Sequence, residues 1–181
     1  WGEYLPGWQP WEDYTQGYAA RPDLGGGVVL TLSHPLDYLR WLLGEVNELW
    51  AFTGNQGLGM AVEDTAEIGL RFESGCLGSL HLDYNQRPPS HTLEITGTHG
   101  RILWDNTDGA ARLYQAEGSK EWQIVQPEAG FERNWLFMDE LRHFIRVMRG
   151  EEMPVCRLED GVEALRLSLG VLQAAEKGQV I

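Results

Sequence analysis

Three observations predict an α+β fold, with a largely antiparallel, open-faced β-sheet covered on one face by helices. Leu36, Leu39, Leu42 and Leu43 recur at helical spacing near the start. From about residue 48 to residue 125 the period turns alternating, with short turn sequences between the apolar runs. Helical spacing then returns in two stripes, and a helix, a run of strands and two further helices make an α+β order.

Each element has its own local reason. Residues 1–24 set Trp8, Trp11, Tyr14, Tyr18 and Arg21 among prolines and glycines, which suits an ordered but irregular arm. The first helix takes Pro35 in its first turn and Gly44 at its stop. Strands are predicted at 48–54, 65–72, 76–84, 92–97, 101–105, 111–114 and 121–125. Turn signals separate them at Glu73-Ser74-Gly75, Thr98-His99-Gly100, Asp108-Gly109 and Glu117-Gly118, so neighbouring strands run antiparallel. Along 78–84, Leu80, Leu82 and Tyr84 share one face while Ser79, His81 and Asp83 share the other, giving an apolar and a polar sheet face. The closing helices align Phe137, Leu141, Phe144, Ile145 and Met148, then Val162, Leu165, Leu169 and Leu172; both are expected to cover the apolar face.

Composition narrows the function. At 181 residues the chain can bury one full core, so residues 25–181 are expected to form one domain behind the aromatic arm of 1–24. With 27 acidic against 14 scattered basic side chains it has no basic stripe, which argues against a nucleic-acid partner. No apolar run approaches the roughly 20 residues a bilayer crossing needs, and the start lacks a signal-peptide order, so no membrane association is expected. Cys76 and Cys156 stand alone, without metal or disulfide spacing, which suits a reducing cytoplasm and no metal site. The chain opens at Trp1 rather than at a methionine, as a piece of something longer would. It holds no GxGxxG after a strand, no P-loop, no GxSxG and no HExxH, and Gly25-Gly26-Gly27 lacks the spacing of a dinucleotide loop.

Four stretches, "GGGVVLTLSHPLDYLRWLLGEV", "EDTAEIGLRFESGCLGSLHLDYNQRPP", "LEITGTHGRILWD" and "LEDGVEALRLSLGVLQAAEKGQVI", resemble in content and order the C-terminal domain of the Gfo/Idh/MocA oxidoreductases. "YLPGWQPWEDYTQGYAARPDLGGG" also looks like one branch of that family, associated with sugar and polysaccharide metabolism. The resemblance implies a parent with an N-terminal Rossmann domain, absent from this chain, that binds NAD or NADP and bears the catalytic lysine. This chain alone would then hold no cofactor and be inactive. It would supply the substrate-binding and oligomerisation half of an enzyme acting on a sugar or cyclitol hydroxyl, as a homo-oligomer.

In the family a histidine opens the helix after the Gly-rich strand and handles the hydroxyl proton; His34 matches it. An imidazole suits that task because its ordinary titration lies near neutrality. The alternative is a helix-entry histidine that only bonds backbone. The family's aspartate a few residues earlier corresponds to Thr31, whose hydroxyl brings no charge and can only orient His34 or substrate. Trp11, Tyr14 and Tyr18 could wall a sugar site and Arg21 could hold an acidic group, or these residues could anchor the arm. Gln86 and Arg87, stiffened by Pro88 and Pro89, could reach the same cleft or form a solvated turn. His81 and Asp83 share a strand face without a third ligand, and Glu63-Asp64 is read as a strand-entry cap. The rival to the enzyme reading is a non-catalytic oligomerisation or ligand-binding module of the same fold.

Overall fold

The computed structural model describes residues 1–181. The chain divides into two compact units, Trp1–Ser90 with Glu159–Ile181, and His91–Leu158.

The first unit is built on a five-stranded sheet. Its strands are β1 (Gly2–Tyr4), β2 (Val46–Gly54), β3 (Thr65–Phe72), β4 (Leu77–Asp83) and β5 (Asn85–Ser90), in the order β2-β3-β4-β1-β5. β2, β3 and β4 form an antiparallel meander. β1 slots in parallel to β4, with Gly2 opposite Asp83, and antiparallel to β5. Ala66, Ile68, Leu70 and Phe72 of β3 and Leu80 and Leu82 of β4 point to one face and are buried. The cover comes from the short helix α1 (Val28–Thr31), α2 (His34–Leu43) and α4 (Leu158–Lys177). Val28 and Val29 are wholly buried where α1 lies on β3 and β4, as are Val171 and Ala174 of α4. Each large apolar side chain so buried contributes about 1.5–3 kcal/mol. Arg40 near the end of α2 reaches Glu45 at 2.8 Å and Asp160 at the start of α4 at 3.2 Å, tying the two helices.

The opposite face is open. Trp50 and Phe52 of β2 stand exposed there in an edge-to-face pair at 5.3 Å. Arg71 pairs with Glu48 at 2.9 Å beside them.

The second unit is an antiparallel meander of β6 (Thr92–Gly97), β7 (Gly100–Asp105), β8 (Ala111–Gln115) and β9 (Trp122–Val125), followed by α3 (Asn134–Met148).

The α+β class and the antiparallel pairing agree with the sequence reading; four features differ. There are two sheets rather than one. α3 buries none of its residues and belongs to the second unit, so only the last of the two closing helices joins the cover. Two strands escape the alternation test. β1 is only three residues long, and β5 holds Pro88 and Pro89, which are tolerated because β5 is the sheet's edge and needs fewer ladder donors. The run after the glycines is a helical turn, not a strand. Glu63 makes it so: its carbonyl accepts from Val28 N at 3.0 Å and its carboxylate from Val29 N at 3.1 Å, satisfying the donors at the start of a helix.

Candidate functional site

The glycine turn is set by its surroundings. A Cβ on Gly26 would meet Arg21 N at 2.7 Å and Ala19 O at 2.8 Å, and Gly27 adopts φ 108° with the Glu63 carboxylate packed where a side chain would stand. The chain can therefore pass tightly beneath the arm and enter α1 at Val28. Three residues past the end of α1, His34 begins α2, with Pro35 fitting the first turn and the imidazole exposed.

Against the glycine turn lies a buried polar group. Tyr84, at the end of β4, is fully buried and donates its hydroxyl to Gly27 O at 3.1 Å. Burial pushes its phenol far above the ordinary tyrosine range, an effect slightly opposed by the nearby Thr31 hydroxyl. Thr31 Oγ1 is itself buried and makes no hydrogen bond of normal geometry. Burial also pushes the Glu63 carboxyl up, against the bond from Val29 N that favours its charged form. Glu63 lines an open cleft of about 530 Å³ together with Gly25, Gly26, Thr53 and Asn55. Asp64, buried at 1% exposure, accepts from Gly57 N at 2.8 Å and Leu58 N at 2.9 Å, so it caps a loop.

On the other side of His34 the neighbour is β1. The imidazole stacks on the Trp1 indole, centroids 5.8 Å apart and planes inclined by 21°. One residue on, Gln86 packs against Gly2, and Arg87 lies over the Tyr4 ring at 4.1 Å. His34 and Gln86 thus lie against the adjacent residues Trp1 and Gly2, the second of them the start of β1, and Arg87 lies against Tyr4 two residues further. Thr31 and Tyr18 both lie close to Tyr84. The remaining arm residues have other partners: Arg21 is held by Asp23 through both guanidinium edges, and Tyr14 donates to Leu58 O at 3.2 Å. Trp11 projects into solvent at 77% exposure. His81 is bracketed by two carboxylates, Nδ1 lying 2.6 Å from Glu67 and Nε2 lying 2.9 Å from Asp83.

Trp1 and Tyr84 are the site residues that sequence reading missed. Tyr84 is indistinguishable there from any inward residue of an alternating strand, and Trp1 has no periodic context.

Comparison with known proteins bears on what such an arrangement belongs to. The profile of the GFO/IDH/MocA C-terminal domain matches residues 3–103, more than half of the chain. A 1,5-anhydro-D-fructose reductase from Ensifer adhaerens is 32% identical over 97% of this chain and 52% of its own length. A myo-inositol 2-dehydrogenase from Thermotoga maritima is 29% identical over 85% of this chain and 48% of its own. The chain thus spans about half the length of the curated relatives it matches. In fold it superposes on a levoglucosan dehydrogenase solved with NADH and levoglucosan, with a TM-score of 0.83 at 18% identity, covering 91% of this chain and 53% of that one. The chain belongs to the Gfo/Idh/MocA family and represents its C-terminal domain.

Proposed function

We propose that this chain is the substrate-facing and oligomerising half of an NAD(P)-dependent oxidoreductase acting on a sugar or cyclitol hydroxyl. The observation that carries the reading is the exposed imidazole of His34 at the entrance of α2, stacked on the Trp1 indole with no hydrogen-bond partner of its own. The relatives' names, a reductase of an anhydro sugar and a dehydrogenase of a cyclitol, support that substrate class.

The residues present do not fit a dinucleotide. The amides of Gly25, Gly26 and Gly27 already donate to the carbonyls of Pro22, Arg21 and Ala19, and the Glu63 carboxylate packs against Gly27, so the glycine turn offers a pyrophosphate no vacant amides and presents negative charge instead. The cofactor is assigned to an N-terminal Rossmann half, where it would accept or give the hydride. This chain's share is the substrate and the proton. His34 takes the hydroxyl proton as the alcohol is oxidised and returns it in the reverse direction. Thr31 lies three residues before it with its hydroxyl buried, so of its two expected roles the one proposed is to orient His34. Tyr18, Gln86, Arg87, Arg21, Tyr14 and Trp11 are the side chains this reading assigns to the substrate. Two exposed free thiols, Cys76 and Cys156, suit a reducing cytoplasm.

One observation favours a non-catalytic module: Thr31 supplies no charge, and its buried hydroxyl faces Tyr84 rather than open space. A single experiment separates the two readings. The complete reading frame is expressed and screened against sugars and cyclitols with NAD and NADP, alongside His34→Ala. Turnover reduced about 10²-fold or more by His34→Ala supports the enzyme; full turnover in that variant removes His34 from the reaction, and no turnover with any polyol favours the module.

A further inference from the structure

We propose that Trp1 is a positioning residue for His34, fixing the plane of the imidazole by aromatic stacking at the entrance of α2. The inference rests on the reading of His34 as the proton-handling group.

No hydrogen bond reaches the His34 ring, and the indole of Trp1 is its one aromatic partner. An exposed side chain in a first helical turn would otherwise sample several rotamers. A near-parallel pair at 5.8 Å lies within the range where aromatic rings attract beyond simple burial. The contact leaves both ring nitrogens available to a substrate hydroxyl.

The indole can fix another ring because it is fixed itself. Its Nε1 donates to Glu3 Oε1 at 2.9 Å, and the Trp1 carbonyl accepts from Asp83 N at 3.1 Å. The next residue, Gly2, has no room for a side chain: a Cβ would lie 2.5 Å from Asp83 Oδ2 and 2.7 Å from Gln86 Cβ. β1 is thus clamped between β4 and β5, and its register sets where the indole stands. The orientation of the imidazole is in this way referred to the sheet rather than to its own short helix.

The test has a spectroscopic and a kinetic arm. In the chain labelled at histidine, the His34 ring protons are expected upfield from the indole ring current. That displacement is lost in Trp1→Leu and largely kept in Trp1→Phe. In the complete oxidoreductase, Trp1→Leu lowers kcat about tenfold with KM nearly unchanged, and Trp1→Phe recovers most of it. His34 resonances that do not move in Trp1→Leu overturn the stacking role, and a rise in KM alone overturns it in favour of a substrate wall. Full turnover in His34→Ala defeats the reading of His34 instead, and leaves the spectroscopic arm to judge the stack by itself.

Discussion

Glu63 is a carboxylate held where charge is disfavoured: burial raises its pKa although Val29 N donates to it. A raised folded-state value means the native chain binds this proton more tightly than the unfolded one. Stability from this group is therefore greatest at acid pH and declines as pH rises from the ordinary glutamate value through the folded one. Glu63→Gln keeps an acceptor for Val29 N and removes the charge. It is expected to leave stability at neutral pH equal or higher, with the advantage over wild type vanishing in acid. Urea titrations across that range decide it, and a Gln variant weaker than wild type at neutral pH would show that the charged bond outweighs desolvation. Of the site residues, His34 and Thr31 were legible because a motif fixes their positions in the chain. Trp1 and Tyr84 were not, because what marks them is a contact made only when distant strands pair.

At the scale of elements, the turn preceding α1 holds the site together. Three things meet at Gly27: a positive φ, the Glu63 carboxylate and the hydroxyl of Tyr84 on its carbonyl. Gly27→Ala must strain the backbone and displace Glu63, for a cost of about 1–3 kcal/mol. The expected result is a lowered denaturation midpoint together with loss of protection at the Val28 and Val29 amides in hydrogen exchange. An unchanged midpoint would mean that the turn adapts freely. The long strands and α2 were readable because their periods run over several repeats. β1 and β5 were not, one being too short and the other proline-rich, and α1 was not because its β-branched residues favour a strand until Glu63 supplies the helix start.

For the whole molecule, the open face of the first sheet was legible in the strand periods, but the aromatic pair standing on it was not. Trp50 and Phe52 lie side by side on it at 43% and 70% exposure, ringed by ionised groups of both signs from Glu48, Arg71 and Glu67. Apolar rings bordered by charges of both signs are what an isologous two-fold pairing needs, which supports the oligomerising role proposed above. The protein is expected to be at least dimeric by light scattering, and Phe52→Asp to be monomeric with an unchanged circular dichroism spectrum. A monomeric wild type would refute this. Connectivity has a separate effect, because Leu49 and Ile181 exchange backbone hydrogen bonds at 2.9 Å in both directions, closing the β2 edge with a residue from beyond α4. On a ribosome, the first ninety residues emerge without the helix that covers their sheet, while the intervening unit emerges whole. The nascent chain must keep an unsealed, apolar edge in solution until α4 and Ile181 have emerged, a period in which holdase chaperones would find it.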